Sequence, residues 1–173
     1  MGKYRHWLSH ARNIGVAYGL SIVWVFIIVN VIRTLLAPAV VVEPTGIPVL
    51  SVMYAWLDHF PNFAAAVKAS IGLSLFMTLI FAPFIEECIF RMLPLTFVLG
   101  LDRPKVRAVV IVICGILFGW AHGSPLNVFI QGFVGLMLGW LYVKNSSSQW
   151  ASYISCVCVH MMYNLTVVLA GGF

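Results

Sequence analysis

The chain has 173 residues, 62% of them hydrophobic and only 9% charged, with a mean hydropathy of +1.01. A soluble domain carries about 25% charged residues, so the solvent for most of this chain is a bilayer, and about five or six spans of roughly 20 residues leave no room for a separate soluble domain. The net charge of +5 sits on Lys and Arg that flank apolar runs, which points to topology and lipid headgroups and excludes nucleic acid as a partner.

In chain order, residues 1–13 are polar and basic, and residues 14–36 form an apolar run too long for a signal-peptide core. They are read as an uncleaved signal anchor. Residues 37–62 hold four prolines and two acids, a loop with a short interfacial helix around 50–60, where Tyr54 and Trp56 suit the headgroup zone. Residues 63–83 are apolar, with Lys68 snorkelling at one end. Pro83 is expected to break or kink this helix, residues 84–101 restart it, and Pro94 is a second kink point. After the polar turn at 101–105, residues 106–122 form the next span, closed by Gly123-Ser124-Pro125. Residues 126–143 follow, with Gly132, Gly135 and Gly139 placed for close helix contact. Residues 144–148 make a loop and 150–170 the last span. The fold class is therefore all-α: a polytopic membrane helix bundle of about six apolar segments, with 1–173 as one domain, 1–63 its anchor helix and peripheral loop, and 64–170 its core. Segment length and lack of alternation exclude a β-barrel.

Orientation is open between five and six crossings. Six crossings from a cytoplasmic start leave the basic turn at Arg103–Arg107 and Lys144 outside, against the positive-inside tendency. A single broken crossing over 63–101 puts both inside. A hairpin of two segments brings Glu86 and His122 to one face, and the site favours that arrangement.

Three patterns place ionisable groups at membrane depth, each costing roughly 2.5–3.5 kcal/mol on insertion scales. They are Glu86-Glu87-Cys88-Ile89-Phe90-Arg91, Phe118-Gly119-Trp120-Ala121-His122 and His160-Met161-Met162-Tyr163-Asn164. Function is the default hypothesis for such groups. Glu87 and Arg91 are four apart, share a helix face and can pair. Glu86 is rotated about 100° away. One carboxylate is thus structural and the other free to act. The bland alternative is a salt-bridged helix start at the headgroups. Phe118 and His122, and likewise His160 and Asn164, also share faces. Taken singly, each is more often a helix–helix hydrogen bond than a catalytic group. Together they form a usable catalytic set.

Two mechanisms fit. In one, Glu86, assisted by His122, activates a water that attacks a peptide carbonyl, and His160 and Asn164 donate to the oxyanion. In the other, Glu86, His122 and His160 ligate zinc, with Glu87 as candidate base. No His-Glu-x-x-His is present, and the metal-free scheme, with no cofactor, is favoured.

Glu-Glu-x-x-x-Arg, Phe-x-x-x-His and His-x-x-x-Asn, in this order on successive apolar segments, resemble the CPBP family, the CAAX-processing and bacteriocin-immunity type intramembrane proteases also called Abi. The resemblance covers residues 64–170. It implies an all-helical membrane endopeptidase in which Glu86 is the activating glutamate, Glu87 its neighbour, Arg91 the pairing arginine, His122 the second-motif histidine, and His160 with Asn164 the oxyanion pair. Members have been described both as metal-dependent and as glutamate-type. Many carry Gly after the motif arginine, where this chain has Met92. The chain is short, little more than the catalytic core, which detaches it from prenylated-CAAX specificity and admits the sorting tails of exported proteins as substrates. A bacterial inner membrane is the expected location.

Two other functions compete. A non-catalytic binding or immunity protein would keep the fold and tolerate loss of Glu86. A small proton channel or transporter would use Glu86, His122 and His160 as a relay, although no repeat symmetry supports it. Cys88, Cys114, Cys156 and Cys158 are read as buried small hydrophobes, not as a disulfide framework or a metal site. His6, His10 and His59 are flank residues. Trp7, Trp56, Trp120, Trp140 and Trp150 are belt residues, and the Asn164-Leu165-Thr166 sequon lies inside a span.

Overall fold

The computed structural model describes residues 2–36, 71–101 and 103–170. The peripheral loop, its expected interfacial helix at 50–60, Tyr54, Trp56, His59 and Lys68 lie outside the described residues, as do the side chains of His6 and Trp7.

The described residues are helical, with no strand among them, and the all-α membrane bundle stands. Helix α1 is Gly2–Leu36. Next comes one continuous helical rod over residues 71–99, built from α2 (Ile71–Phe76), a π-helical stretch Met77–Phe81, α3 (Ala82–Glu87), a second π-helical stretch Cys88–Met92, and α4 (Leu93–Leu99). Helices α5 (Pro104–Trp120), α6 (Asn127–Lys144) and α7 (Gln149–Leu169) complete it. Four rods are long and apolar enough to cross a membrane: those at Leu8–Val31, Gly72–Leu99, Asn127–Lys144 and Gln149–Leu169. Large apolar side chains such as Phe26, Phe97 and Phe129 remain exposed, as expected where lipid is the solvent.

The count of about six segments is thus corrected to five rods among the described residues, because the described part of the expected 63–83 segment, from residue 71, runs on into the expected 84–101 segment as one rod. Pro83 and Pro94 do not break the rod. A proline ring clashes with the carbonyl four residues back and offers no N–H. Each π stretch relieves this: the Ala82 N–H reaches back five residues to the Met77 carbonyl, the Leu93 N–H does the same to Cys88, and a proline follows each. Widening the turn lets the chain pass the proline without stopping.

Helices α5 and α6 pack most extensively, through glycine. A Cβ at Gly119 would lie 2.6 Å from both the Asn127 carbonyl oxygen and Val128 Cα, and one at Gly132 would lie 3.1 Å from the Gly115 carbonyl oxygen. Gly123, with φ 79°, turns the chain between the two helices. Pro104 opens α5 at a position where a missing N–H costs nothing, and the Ser148 hydroxyl accepts the Ala151 N–H to cap α7. Helix α1 lies across α6 and α7. Trp24 stacks on Phe133 at 4.5 Å and donates to the Phe129 carbonyl. Tyr18 meets Thr166 at 2.7 Å, and Asn13 donates to the buried Asn145, which in turn donates to Ser155.

Gly119→Ala is expected to cost about 1–3 kcal/mol by overpacking, because the atoms it meets are backbone. Gly19→Ala, with nothing within 4 Å, should be neutral or stabilising by up to about 1 kcal/mol. Thermal unfolding of the two variants in detergent checks this, and equal shifts would refute glycine-mediated packing of α5 on α6.

Candidate functional site

The site forms where α3, the second π stretch, the end of α5 and the middle of α7 meet. Its anchor is Arg91, fully buried within the second π stretch. Its Nη1 donates to Glu87 Oε1 at 3.0 Å. The face of its guanidinium lies 4.2 Å from the centroid of the Phe118 ring, a cation–π contact that gains strength when water is excluded. The room comes from α6: a Cβ at Gly135 would lie 2.9 Å from Arg91 Nη2 and 3.1 Å from Phe118 Cδ1.

Glu87 Oε1 takes a second donor, His160 Nδ1, at 2.8 Å. Since a carboxylate accepts, Nδ1 carries a hydrogen, and Nε2 is the ring nitrogen left to face the rest of the site. That Nε2 faces Glu86 Oε2 at 3.6 Å, an ion-pair distance too long for a hydrogen bond. Glu86 is also buried, and its Oε2 has no hydrogen-bond partner among the described residues. The two adjacent carboxylates therefore differ in kind. Each has a buried Oε2 without a hydrogen bond among the described residues, but Glu87 is held through Oε1 by Arg91 and His160, whereas Glu86 has only the 3.6 Å approach of His160 Nε2.

Phe118 gathers the rest. Its ring is 4.5 Å from His122 and meets His160 edge-on at 5.6 Å and Phe90 at 5.5 Å. His122, buried just past the end of α5, directs Nδ1 to the Phe118 carbonyl at 2.6 Å. A carbonyl only accepts, so Nδ1 is the donor and Nε2 is left with its lone pair. Asn127 donates to the His122 carbonyl and ties the turn to α6. No bond or ion pair joins His122 to Glu86 among the described residues, and both imidazoles meet on Phe118 instead.

Asn164, one turn beyond His160 on α7, donates from Nδ2 to the Thr78 carbonyl at 2.9 Å. The first π stretch explains that partner. With Ala82 bonded five residues back, the N–H due at the Thr78 carbonyl is that of residue 83, which is proline and has none. Asn164 fills the vacancy and keeps its second amide hydrogen. The Thr78 hydroxyl is buried beside it without a partner among the described residues. Thr78 and Gly135 are the site residues that the motifs did not reveal. Pro83 was the available signal for Thr78, five residues upstream of it. Gly135 stood out in the sequence only as a helix-packing residue.

All the residues singled out in the sequence, Glu86, Glu87, Arg91, Phe118, His122, His160 and Asn164, thus converge. Glu86, His122 and His160, the trio a zinc ion would need, do not close as three ligands around one point; among the described residues no group of three His, Cys, Asp or Glu does.

Helices with exposed apolar flanks around a buried cluster of two carboxylates, a guanidinium, two imidazoles and an amide define a polytopic membrane protein with an intramembrane polar site. The family model described as type II CAAX prenyl endopeptidase Rce1-like matches residues 68–166. This is more than half of the chain, and the protein belongs to that family. Neither the curated proteins nor the solved structures give a match.

Asn164→Ala orphans the Thr78 carbonyl and is expected to cost about 1–3 kcal/mol. With Pro83→Ala in the background, residue 83 regains an N–H for that carbonyl, and the cost of Asn164→Ala should fall by about 1 kcal/mol. A double-mutant cycle on unfolding free energy measures the coupling. Strict additivity would contradict the assigned role of Pro83.

Proposed function

We propose that the protein is an intramembrane endopeptidase of the glutamate type. It hydrolyses a peptide bond in the tail of a membrane-associated protein, and its location is a bacterial inner membrane. The supporting observation is the asymmetry of the two carboxylates: Glu87 is committed through Oε1 to Arg91 and His160, and Glu86 is buried with no such donor, its Oε2 meeting only His160 Nε2 at 3.6 Å. In this reading Glu86 takes a proton from a water, and the hydroxide adds to the scissile carbonyl carbon. The oxyanion receives hydrogen bonds from protonated His160 Nε2 and from the second amide hydrogen of Asn164. Glu86 then delivers its proton to the amide nitrogen as the C–N bond breaks. His122 Nε2 accepts a hydrogen bond from the same water and orients it. Glu87 and Arg91 position His160 and touch no reacting atom.

Each oxyanion donor in such a site is worth about 10²–10³ in kcat, and the general base about 10²–10⁴. Purified protein in lipid, offered a panel of CAAX-bearing and sorting-tail peptides, should cleave one of them with or without a strong zinc chelator. Glu86→Gln should lose at least about 10²-fold in kcat, and Asn164→Ala about the same. Cleavage abolished by the chelator and restored by zinc would replace this scheme with a metal-dependent one. A cellular phenotype retained by Glu86→Gln would favour a non-catalytic binding or immunity role.

A further inference from the structure

The ends of the bundle are not alike. The start of α1, the turn between α4 and α5, and the turn between α6 and α7 lie at one end. Asn13 bonds to Asn145 across it, His10 reaches Ser147, and Thr96 meets Tyr142 just inside. This end carries Arg12, Arg103, Lys105, Arg107 and Lys144, and Lys3 and Arg5 lie on the same first turns of α1. At the opposite end, among the described residues, α1 places Arg33 alone. The continuous rod over residues 71–99 makes this possible. Two segments there would have sent the basic turns to opposite sides from the basic N-terminus. Lys and Arg accumulate on the cytoplasmic side of short loops, so the basic end is cytoplasmic.

The site lies toward the other end. At 1.5 Å per residue, Glu86 is about 20 Å along its rod from Leu99, Asn164 about 22 Å along α7 from Gln149, and Phe118 about 21 Å along α5 from Pro104 but only about 3 Å from Trp120. Against a hydrocarbon thickness of about 30 Å, all three are past the midplane. Exposed Trp150 sits at the basic end and exposed Trp120 at the other, as belt residues at the two interfaces. His122 falls two residues beyond Trp120, in the turn that closes that face.

We infer that the site opens to the non-cytoplasmic leaflet, and that its substrate is a polypeptide tail presented there by a membrane-anchored protein after export, not a tail on the cytoplasmic surface. The substrate class rests on the peptidase reading; the orientation does not.

Two variants test the orientation: Pro125→Cys, in the exposed turn beside His122, and Ser146→Cys, in the exposed turn at the basic end. The full chain is labelled in spheroplasts with a membrane-impermeant maleimide, with the native protein and its four cysteines as blank. Pro125→Cys should label at least ten times more than Ser146→Cys, and permeabilisation should equalise them. The reverse pattern, or no difference before permeabilisation, overturns the inference. A second arm takes the tail peptide cleaved in the panel, fused to a globular reporter that cannot cross a bilayer. Outside addition should give cleavage in sealed right-side-out vesicles but not in inside-out ones; the opposite result overturns the substrate class. A labelling pattern that holds while no tail is cleaved counts against the peptidase reading alone.

Discussion

The buried ion pair between Arg91 and Glu87 is the contact around which this bundle is assembled. A guanidinium fully removed from water needs an anion, a π face or both, and it has both here: Glu87 at 3.0 Å and the Phe118 ring at 4.2 Å. Each partner then fixes something else. Glu87 orients His160 through Nδ1, and Phe118 supports His122 with its ring and its carbonyl. Gly135 leaves the space in which guanidinium and ring can stack. Removing one partner of a buried pair commonly costs about 3–5 kcal/mol, because the other charge is left uncompensated. The same arrangement that holds three rods together thus decides which of two neighbouring carboxylates is free.

The two π stretches are the second constraint. They carry the chain past Pro83 and Pro94 as a single rod, and they change which backbone carbonyls are available. π-Helical turns inside α-helices are frequent at functional sites, and the first one here shows a physical route to that association: widening the turn ahead of a proline leaves the Thr78 carbonyl for Asn164. The rod's continuity also places the basic turns at one end of the molecule.

Much of the site was legible in the sequence because it obeys helix periodicity. The four-residue spacing of Glu87 and Arg91 predicts their contact, which survives even though residues 88–92 are π-helical, and the hundred-degree offset of Glu86 predicts a carboxylate with other company. The rod over 71–99 was not legible as one element. Proline reads as a break when only local sequence is considered, and nothing in hydropathy signals a switch from four-residue to five-residue backbone bonding. For the same reason Thr78 was invisible as a site residue: its carbonyl matters, not its side-chain type. Phe118 was legible as the neighbour of His122 on one helix face, but its role beneath Arg91 depends on the close approach of α6 at Gly135, a tertiary fact. The orientation puzzle had the same root, since counting 63–83 and 84–101 separately put both basic turns on the side opposite the basic N-terminus.

The division of labour between the two glutamates is open to a direct check that needs no substrate. Unfolding free energies of Glu86→Gln and Glu87→Gln, measured side by side in the same lipid or detergent, separate an anchoring carboxylate from a free one. The account predicts a loss of about 3 kcal/mol or more for Glu87→Gln, which strips Arg91 and His160 of their shared anion, and little change or a gain for Glu86→Gln, which removes a buried charge that has no hydrogen bond on Oε2. Equal losses, or a larger loss at Glu86, would contradict it.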